Sequence, residues 1–294
     1  MWDSGARMAQ FDLRGKAALV TGGARGIGFA TARALLARGA SVAIVDLKAE
    51  EAERATSQLD PDRTLAIGAD VTDRGAMQRA VASTCERFGG LDVVVANAGI
   101  ASTVATVRAT PSESFERVLD VNLMGVYRTV DAALPEILRR QGHMVLISSV
   151  YAFVNGSGEV AYAMAKAGVE QLGRALRIEL APHGAGASVA YFGFIDTEMV
   201  RRALDQDPLA DRLFENLPRP LRKRLQPSAA GEAIAQGIER RQARIIRPRR
   251  WAIISTLRGI LGPLNDAQLV RDEKVQALVR ELDARAGEQQ TTTA

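Results

Sequence analysis

The sequence predicts a doubly wound α/β fold, a parallel sheet with helices on both faces. Three observations predict it. Short apolar runs alternate with helical patterns through most of the chain. Most of these runs are apolar at every position, as expected of strands covered on both faces. The composition, 47% hydrophobic and 24% charged over 294 residues, suits one large domain with a well-buried core.

The elements follow in order. Strands are expected over 16–21, 41–45, 64–67, 91–96, 144–148 and 187–192, with a further short one over 243–247 closed by Pro248. Helical patterns fall over 27–36, 49–59, 73–88 and 112–119; the last continues through Asn122 to about Arg140. Another helix carries Tyr162 and runs to about Leu180. Right-handed crossovers between such strands give the doubly wound arrangement. Residues 1–12 read as a flexible extension and 13–250 as the main domain. Within it, 198–228 is rich in Arg, Asp and Pro without a clean period and reads as a surface lid. Residues 251–286 read as a helical C-terminal extension and 287–294 as a disordered tail.

Composition narrows the function classes. The net charge is +4, but much of the basicity lies in one late stretch, which argues against a nucleic-acid surface. Cys85 is the only cysteine, so no intrachain disulfide forms and a metal cluster is not expected. No apolar run reaches the ~18 residues of a spanning helix, and the first residues lack a signal-peptide core. A cytoplasmic location is expected, and Met8 is an alternative start. His143 and His183 read as structural or solvated.

The turn Thr21-Gly-Gly-Ala-Arg-Gly-Ile-Gly28 follows the first strand and opens the first helix. Gly22 allows the tight turn, Gly26 lets the backbone approach a pyrophosphate, and Gly28 permits close helix–strand packing. Free N–H groups at the helix start favour phosphate, so a dinucleotide is expected there. Arg25 and Ile27 belong to the same turn. Asp46 ends the second strand, where a carboxylate accepts hydrogen bonds from both ribose hydroxyls and repels a 2′-phosphate. That favours NAD over NADP, with Arg25 and Lys48 arguing mildly the other way.

Tyr162 and Lys166 are four apart on one helix face, and Ser149 precedes Tyr162 by thirteen residues. A fixed ammonium favours phenolate, so the pair suits general acid–base work at a substrate oxygen that Ser149 also reaches.

These residues together resemble the short-chain dehydrogenases/reductases over about 13–199. The markers are Thr21-Gly-x-x-x-Gly-Ile-Gly28, Asp70-Val71, Asn97-Ala98-Gly99, Asn122, Ser149 and Tyr162-x-x-x-Lys166. The resemblance implies a Rossmann-type domain of about seven strands, a homodimer or homotetramer, and a nicotinamide cofactor. It implies Tyr162 as general acid/base. Lys166 would bind the nicotinamide ribose and lower the tyrosine's pKa, and Ser149 would orient the substrate oxygen. Asn122 would hold a water of a proton path. Asp70 and Val71 would contact adenine, and Asn97 with Ala98 and Gly99 would lie by the ribose. The Ile195 backbone and the Thr197 hydroxyl would bind the carboxamide. The sequence departs from the family at Phe192-Gly193, where Pro-Gly is usual.

Tyr151, Phe153, Phe192, Phe194 and Met199 are candidates for the substrate pocket and imply an apolar alcohol or ketone, on a lipid, terpenoid or steroid-like skeleton. The expected function is hydride transfer between a nicotinamide and a secondary alcohol or ketone. The alternatives are a silent cofactor-sensing scaffold and an epimerase or dehydratase on the same fold. The arginines between 240 and 250 precede an apolar segment over 251–261. Packing of this segment on the domain or a dimer partner is expected ahead of contact with a membrane surface.

Overall fold

The computed structural model describes residues 10–215 and 218–292. Strands β1 (Ala17–Thr21), β2 (Ser41–Asp46), β3 (Thr64–Gly68), β4 (Val93–Ala96), β5 (His143–Ser149), β6 (Gly186–Phe192) and β7 (Arg244–Arg247) form one sheet in the order β3-β2-β1-β4-β5-β6-β7. Every pairing is parallel. The order reverses between β1 and β4, which opens a crevice at their C-terminal ends where doubly wound folds bind ligands. The fold expected from the alternating pattern is the one observed.

Helices α1 (Gly26–Leu36), α2 (Ala49–Thr56), α3 (Arg74–Phe88), α4 (Ser112–Leu119), α5 (Gly125–Arg139) and α6 (Val160–Leu180) connect the first six strands. Two core clusters sit on opposite faces of the sheet. One joins Ala18, Val20, Val42 and Ile44 to Leu35 of α1, and to Ile234 and Ile238 of a later helix. The other joins Leu19, Val45, Val94 and Leu146 to Met77 of α3, Ile137 of α5 and Val169 of α6. Neighbouring strand residues thus serve opposite cores, which is why the strands read as unbroken apolar runs.

Four boundaries differ from the sequence reading. Residues 1–9 of the expected flexible extension lie outside the described residues, but Phe11 is buried and its N–H donates to the Glu239 carbonyl at 2.7 Å. Packed structure therefore begins before residue 13. The long helix expected through Asn122 is interrupted by one π-helical turn, Asp120–Met124. Among the described residues, the region read as an aperiodic lid holds three short α-helices, α7 (Glu198–Val200), α8 (Pro208–Glu215) and α9 (Arg219–Arg222), and a π-helical turn, Arg201–Asp205, before α10 (Pro227–Glu239). The C-terminal extension is two helices, α11 (Trp251–Arg271) and α12 (Glu273–Thr292), and α12 continues through residues expected to be disordered; 293 and 294 lie outside the described residues.

Asp272 makes the break between α11 and α12, its carboxylate accepting the N–H groups of Lys274 and Val275 at 2.9 and 3.3 Å. Val275, Leu278 and Leu282 are buried on α12, whereas Val270 on α11 is exposed. Among the described residues no helix is long and apolar enough to cross a membrane. Within α11, Trp251 and Ser255 face the domain, while Ile253, Leu257, Ile260 and Leu264 are exposed along the other side.

Candidate active site

The glycine turn sits at the crevice, and its backbone leaves no room for side chains. Gly22 and Gly26 have φ of 60° and 56°, a region that disfavours residues with a Cβ. A Cβ on Gly22 would stand 2.9 Å from the Ala98 Cα, and one on Gly28 would stand 2.1 Å from the Gly22 carbonyl oxygen. Asn97 ties the turn to β4: its side-chain amide donates to the carbonyls of Thr21 and Gly22 at 2.9 and 3.0 Å. The backbone N–H groups of Asn97 and Ala98 both donate to the Thr21 hydroxyl, at 3.0 and 3.1 Å. Asn97 thus holds the cradle in shape.

Asp46 lies at the end of β2 and is already engaged with the turn. Its carboxylate accepts the N–H of Ala24 at 3.0 Å and of Leu47 at 2.9 Å. A carboxylate has about four lone-pair sites, so acceptor capacity remains for ribose hydroxyls. The two cations near it are taken by other acids. Arg25 pairs with Glu198 at 3.2 Å and Lys48 with Glu51 at 3.8 Å. Asp70 accepts the N–H of Thr72 at 2.9 Å and lies 3.7 Å from Arg117. Burial raises its carboxyl pKa, but the Thr72 bonds and Arg117 outweigh this and leave it lowered. Val71 is buried against Gly125, where an added Cβ would stand 2.6 Å from the Val71 side chain.

Across the crevice, Ser149 ends β5, and Tyr162 and Lys166 lie on the first turns of α6. Lys166 donates to the Ile147 carbonyl at 2.9 Å, and its ammonium stands 5.4 Å from the Tyr162 ring centroid. The Ser149 hydroxyl donates to the Phe192 carbonyl at 3.3 Å and accepts the Tyr151 N–H at 3.3 Å. The adjacent Ser148 instead donates to the Lys166 carbonyl at 2.8 Å and so holds the helix to the strand. Asn122 occupies the π-helical turn and is fully buried. Its side chain accepts the Ile100 N–H at 2.7 Å and donates to the Ile100 carbonyl at 2.8 Å. The extra residue of a π turn re-aims one side chain, and here it turns Asn122 onto the strand-end loop after Gly99.

The electrostatics differ from the simple expectation that Lys166 lowers the tyrosine. Burial pushes Tyr162 up to about 12; a hydrogen bond with Ser149 opposes the rise and Glu159 adds to it. Burial pulls Lys166 down to about 8. Enclosure disfavours the charged form of both groups, phenolate and ammonium alike.

This geometry agrees with comparisons to known proteins. The family profile described as short chain dehydrogenase matches residues 16–208. The chain belongs to the short chain dehydrogenases. It is 37% identical over 209 residues to a 2-(R)-hydroxypropyl-CoM dehydrogenase of Xanthobacter autotrophicus, covering 69% of this chain and 84% of that one. A short chain dehydrogenase from Burkholderia cenocepacia, solved in complex with NADP, superposes with a TM-score of 0.71 at 30% identity, over 80% of this chain and 96% of that one. The 3-ketoacyl-(acyl-carrier-protein) reductase of Brucella melitensis, complexed with NADH, gives 0.68 at 26% identity, over 80% and 96%.

Beyond the family markers, aromatic side chains of this dehydrogenase pack together after β5 and β6. Tyr151 meets Tyr162 edge-on at 5.7 Å, and Phe194 meets Phe214 at 4.6 Å. Phe153 lies 5.9 Å from Tyr191 and 6.5 Å from Trp251. Tyr151, Phe153 and Phe194 join one cluster with Val150 and Trp251. Phe192 does not join it; its side chain packs in the sheet core with Val95, Ile147 and Ile245. Strand alternation sends it to the opposite face from Tyr191, so its sequence position near the pocket misleads. Met199 is partly exposed on α7.

The departure at Phe192-Gly193 has a partner in the C-terminal extension. Trp251 is 1% exposed, and a Cβ on Gly193 would stand 2.5 Å from its indole nitrogen. The start of the apolar 251–261 segment is therefore core. The loop after β6 is pinned by Leu225, whose N–H donates to the Phe194 carbonyl at 3.0 Å while its carbonyl accepts the Asp196 N–H at 2.8 Å. Thr197 caps α7 through the Val200 N–H at 3.3 Å, and its methyl would meet a Cβ on Gly26 at 3.2 Å. Ile195 is buried beside it.

Two further groups escaped the sequence reading. Glu159 starts α6 one turn before Tyr162, and Ser102 on the loop after β4 donates to its carboxyl. The i, i+3 spacing of Glu159 and Tyr162 was the available signal. The second is Arg285 of α12, which donates to Asp207 at 2.5 and 2.8 Å. Both histidines are outside the cleft. His143 is fully buried in β5 against Ser188 at 2.7 Å, and burial with Arg241 and Arg177 lowers it to about 3. His183 is exposed. Among the described residues no group of three acidic, histidine or cysteine side chains forms a metal site.

Proposed function

We propose that this short chain dehydrogenase interconverts a secondary alcohol and its ketone with NAD(H), using Tyr162 as general acid/base. The observation that carries the reading is the convergence of Ser149, Tyr162 and Lys166 at the mouth of the crevice opposite the glycine turn. The nicotinamide supplies or accepts the hydride. Ser149 holds the substrate oxygen beside the Tyr162 phenol, which gives that oxygen a proton in reduction and takes it in oxidation. Lys166 supports the charge that forms on Tyr162, and Asn122 fixes the loop behind them.

The cradle residues fit a dinucleotide: a turn whose glycines leave its backbone open, donors at the start of α1 and a carboxylate with free acceptor sites at Asp46. Asp46 favours NAD, and exposed pairing of Arg25 and Lys48 with acids weakens their attraction for a 2′-phosphate. The aromatic cluster of Tyr151, Phe153 and Phe194 supports a largely apolar substrate.

A panel of apolar secondary alcohols and ketones, assayed with NAD(H) and NADP(H) in parallel, tests the reading. Tyr162→Phe is expected to abolish turnover with NADH affinity kept within about threefold. Retention of most of the rate would defeat the tyrosine's role. NADH binding without turnover on any member of the panel would favour a cofactor-sensing protein.

A further inference from the structure

We infer that Glu159 and Ser102 form a polar subsite of the substrate cleft that takes a hydrogen-bond-donating group, a second hydroxyl or an ammonium, carried by the alcohol or ketone. The inference rests on the reaction proposed above and specifies its substrate. It also revises the expectation of a wholly apolar pocket.

The placement of Glu159 is the first observation. It stands one turn before Tyr162, close enough for its charge to act on the phenols of both Tyr162 and Tyr151. The second is that its side chain has no helix-capping role. Glu159 occupies the N-cap position of α6, yet its carboxyl makes no cap hydrogen bond. Its hydrogen-bond partner is the Ser102 hydroxyl, from the loop after β4. A carboxylate has about four acceptor sites, so most of its capacity is unused.

The third observation is the missing counter-charge. Glu159 bonds Ser102 and interacts electrostatically with Tyr151, Tyr162 and Asp207, and none of these is a cation. Asp207 has its own partner in Arg285. Among the described residues no cation pairs with Glu159. A half-buried carboxylate without one is costly, and burial accordingly pushes Glu159 up to about 7, with Asp207 adding to the rise and Ser102 opposing it. A donor on the substrate relieves that cost, and a carboxylate or sulfonate at the same end increases it.

The test uses three probes on one carbon skeleton: a plain secondary alcohol, the same alcohol with a second hydroxyl, and the same alcohol with a primary amine. The wild type is expected to favour both donor-bearing probes at least tenfold in kcat/KM. Glu159→Gln keeps an acceptor but not the charge, so it should lose about tenfold on the amine and under threefold on the diol. Glu159→Leu should lose about tenfold on both and leave the plain alcohol within threefold. Parallel loss on all three probes would show a merely structural role and overturn the subsite, as would absence of donor preference in the wild type. Calorimetric titration of the probes into NADH-loaded Tyr162→Phe protein reads the subsite without turnover. Donor-selective binding there, together with a wild type that turns over none of the probes, would sink the proposed reaction and keep the subsite. Amine binding should strengthen from pH 6 to pH 8 as Glu159 ionises, and diol binding should not.

Discussion

The ammonium of Lys166 stands 5.4 Å from the ring centroid of Tyr162 while donating to the Ile147 carbonyl at 2.9 Å. The two side chains meet on one face of α6, but the cation lies over the ring and is tethered to β5. The phenol is consequently governed by burial and held near 12. A phenol with so high a pKa is a competent acid toward a forming alkoxide and a poor base at neutral pH.

The first prediction is directional. Reduction should proceed at neutral pH with Tyr162 protonated, and kcat/KM for alcohol oxidation should rise with pH above 7 as the fraction of phenolate grows. Lys166, lowered to about 8, loses its charge through the same range and should flatten the rise. Initial rates in both directions from pH 6 to pH 10 check this. An oxidation rate that falls steadily across the range would contradict it.

Asp46 should set cofactor choice. Asp46→Ser removes the acceptor and the repulsion together, so KM for NAD should rise at least tenfold and KM for NADP should fall. Steady-state kinetics with each cofactor read the switch. Unchanged KM values would place the ribose elsewhere.

Asn122→Ala leaves the Ile100 N–H and carbonyl without their partners in a fully buried position. Each orphaned group costs about 1–3 kcal/mol. A loss of about 2–4 kcal/mol in urea unfolding is expected, beyond any effect on turnover.

His143 should weaken the fold in acid. Its folded pKa, about 3, lies below the ordinary 6.5, so the unfolded chain binds the proton first. This contribution is fully present above pH 6.5 and is lost as pH falls toward 3, at about 1.4 kcal/mol per pH unit. His143→Gln should show a correspondingly shallower decline in stability between pH 6 and pH 4. Equal slopes in denaturant titrations would refute the assignment.

Trp251 should anchor the C-terminal extension. Trp251→Ala empties a site that is 1% exposed and should cost about 3–5 kcal/mol. The indole nitrogen has no hydrogen-bond partner, so Trp251→Phe loses packing alone and should cost less. Thermal unfolding of both variants orders them.

Much of this protein is legible in its sequence because the signals are local. Unbroken apolar runs mark strands buried on both faces, and Gly22, Gly26 and Gly28 mark a turn that only the backbone can make. Tyr162 and Lys166 share a helix face by spacing alone, so their proximity needed no tertiary knowledge. These are consequences of strand and helix periodicity and of glycine's freedom at positive φ.

The tertiary structure decided what depends on enclosure and on distant segments. Periodicity brings Lys166 to Tyr162 but does not say that burial outweighs the cation. Phe192 stands beside the pocket in sequence and faces the sheet core in space. Trp251, far along the chain, fills the room left by Gly193, and the π-helical turn at Asn122 carries no period of its own. Ser102 after β4 and Glu159 at the start of α6 meet although they lie far apart in the chain. Desolvation and side-chain pairing arise only when the chain has closed around a group, so the sequence marked the glycine turn and the Tyr162–Lys166 pair, and the folded structure decided how each group is charged and what it faces.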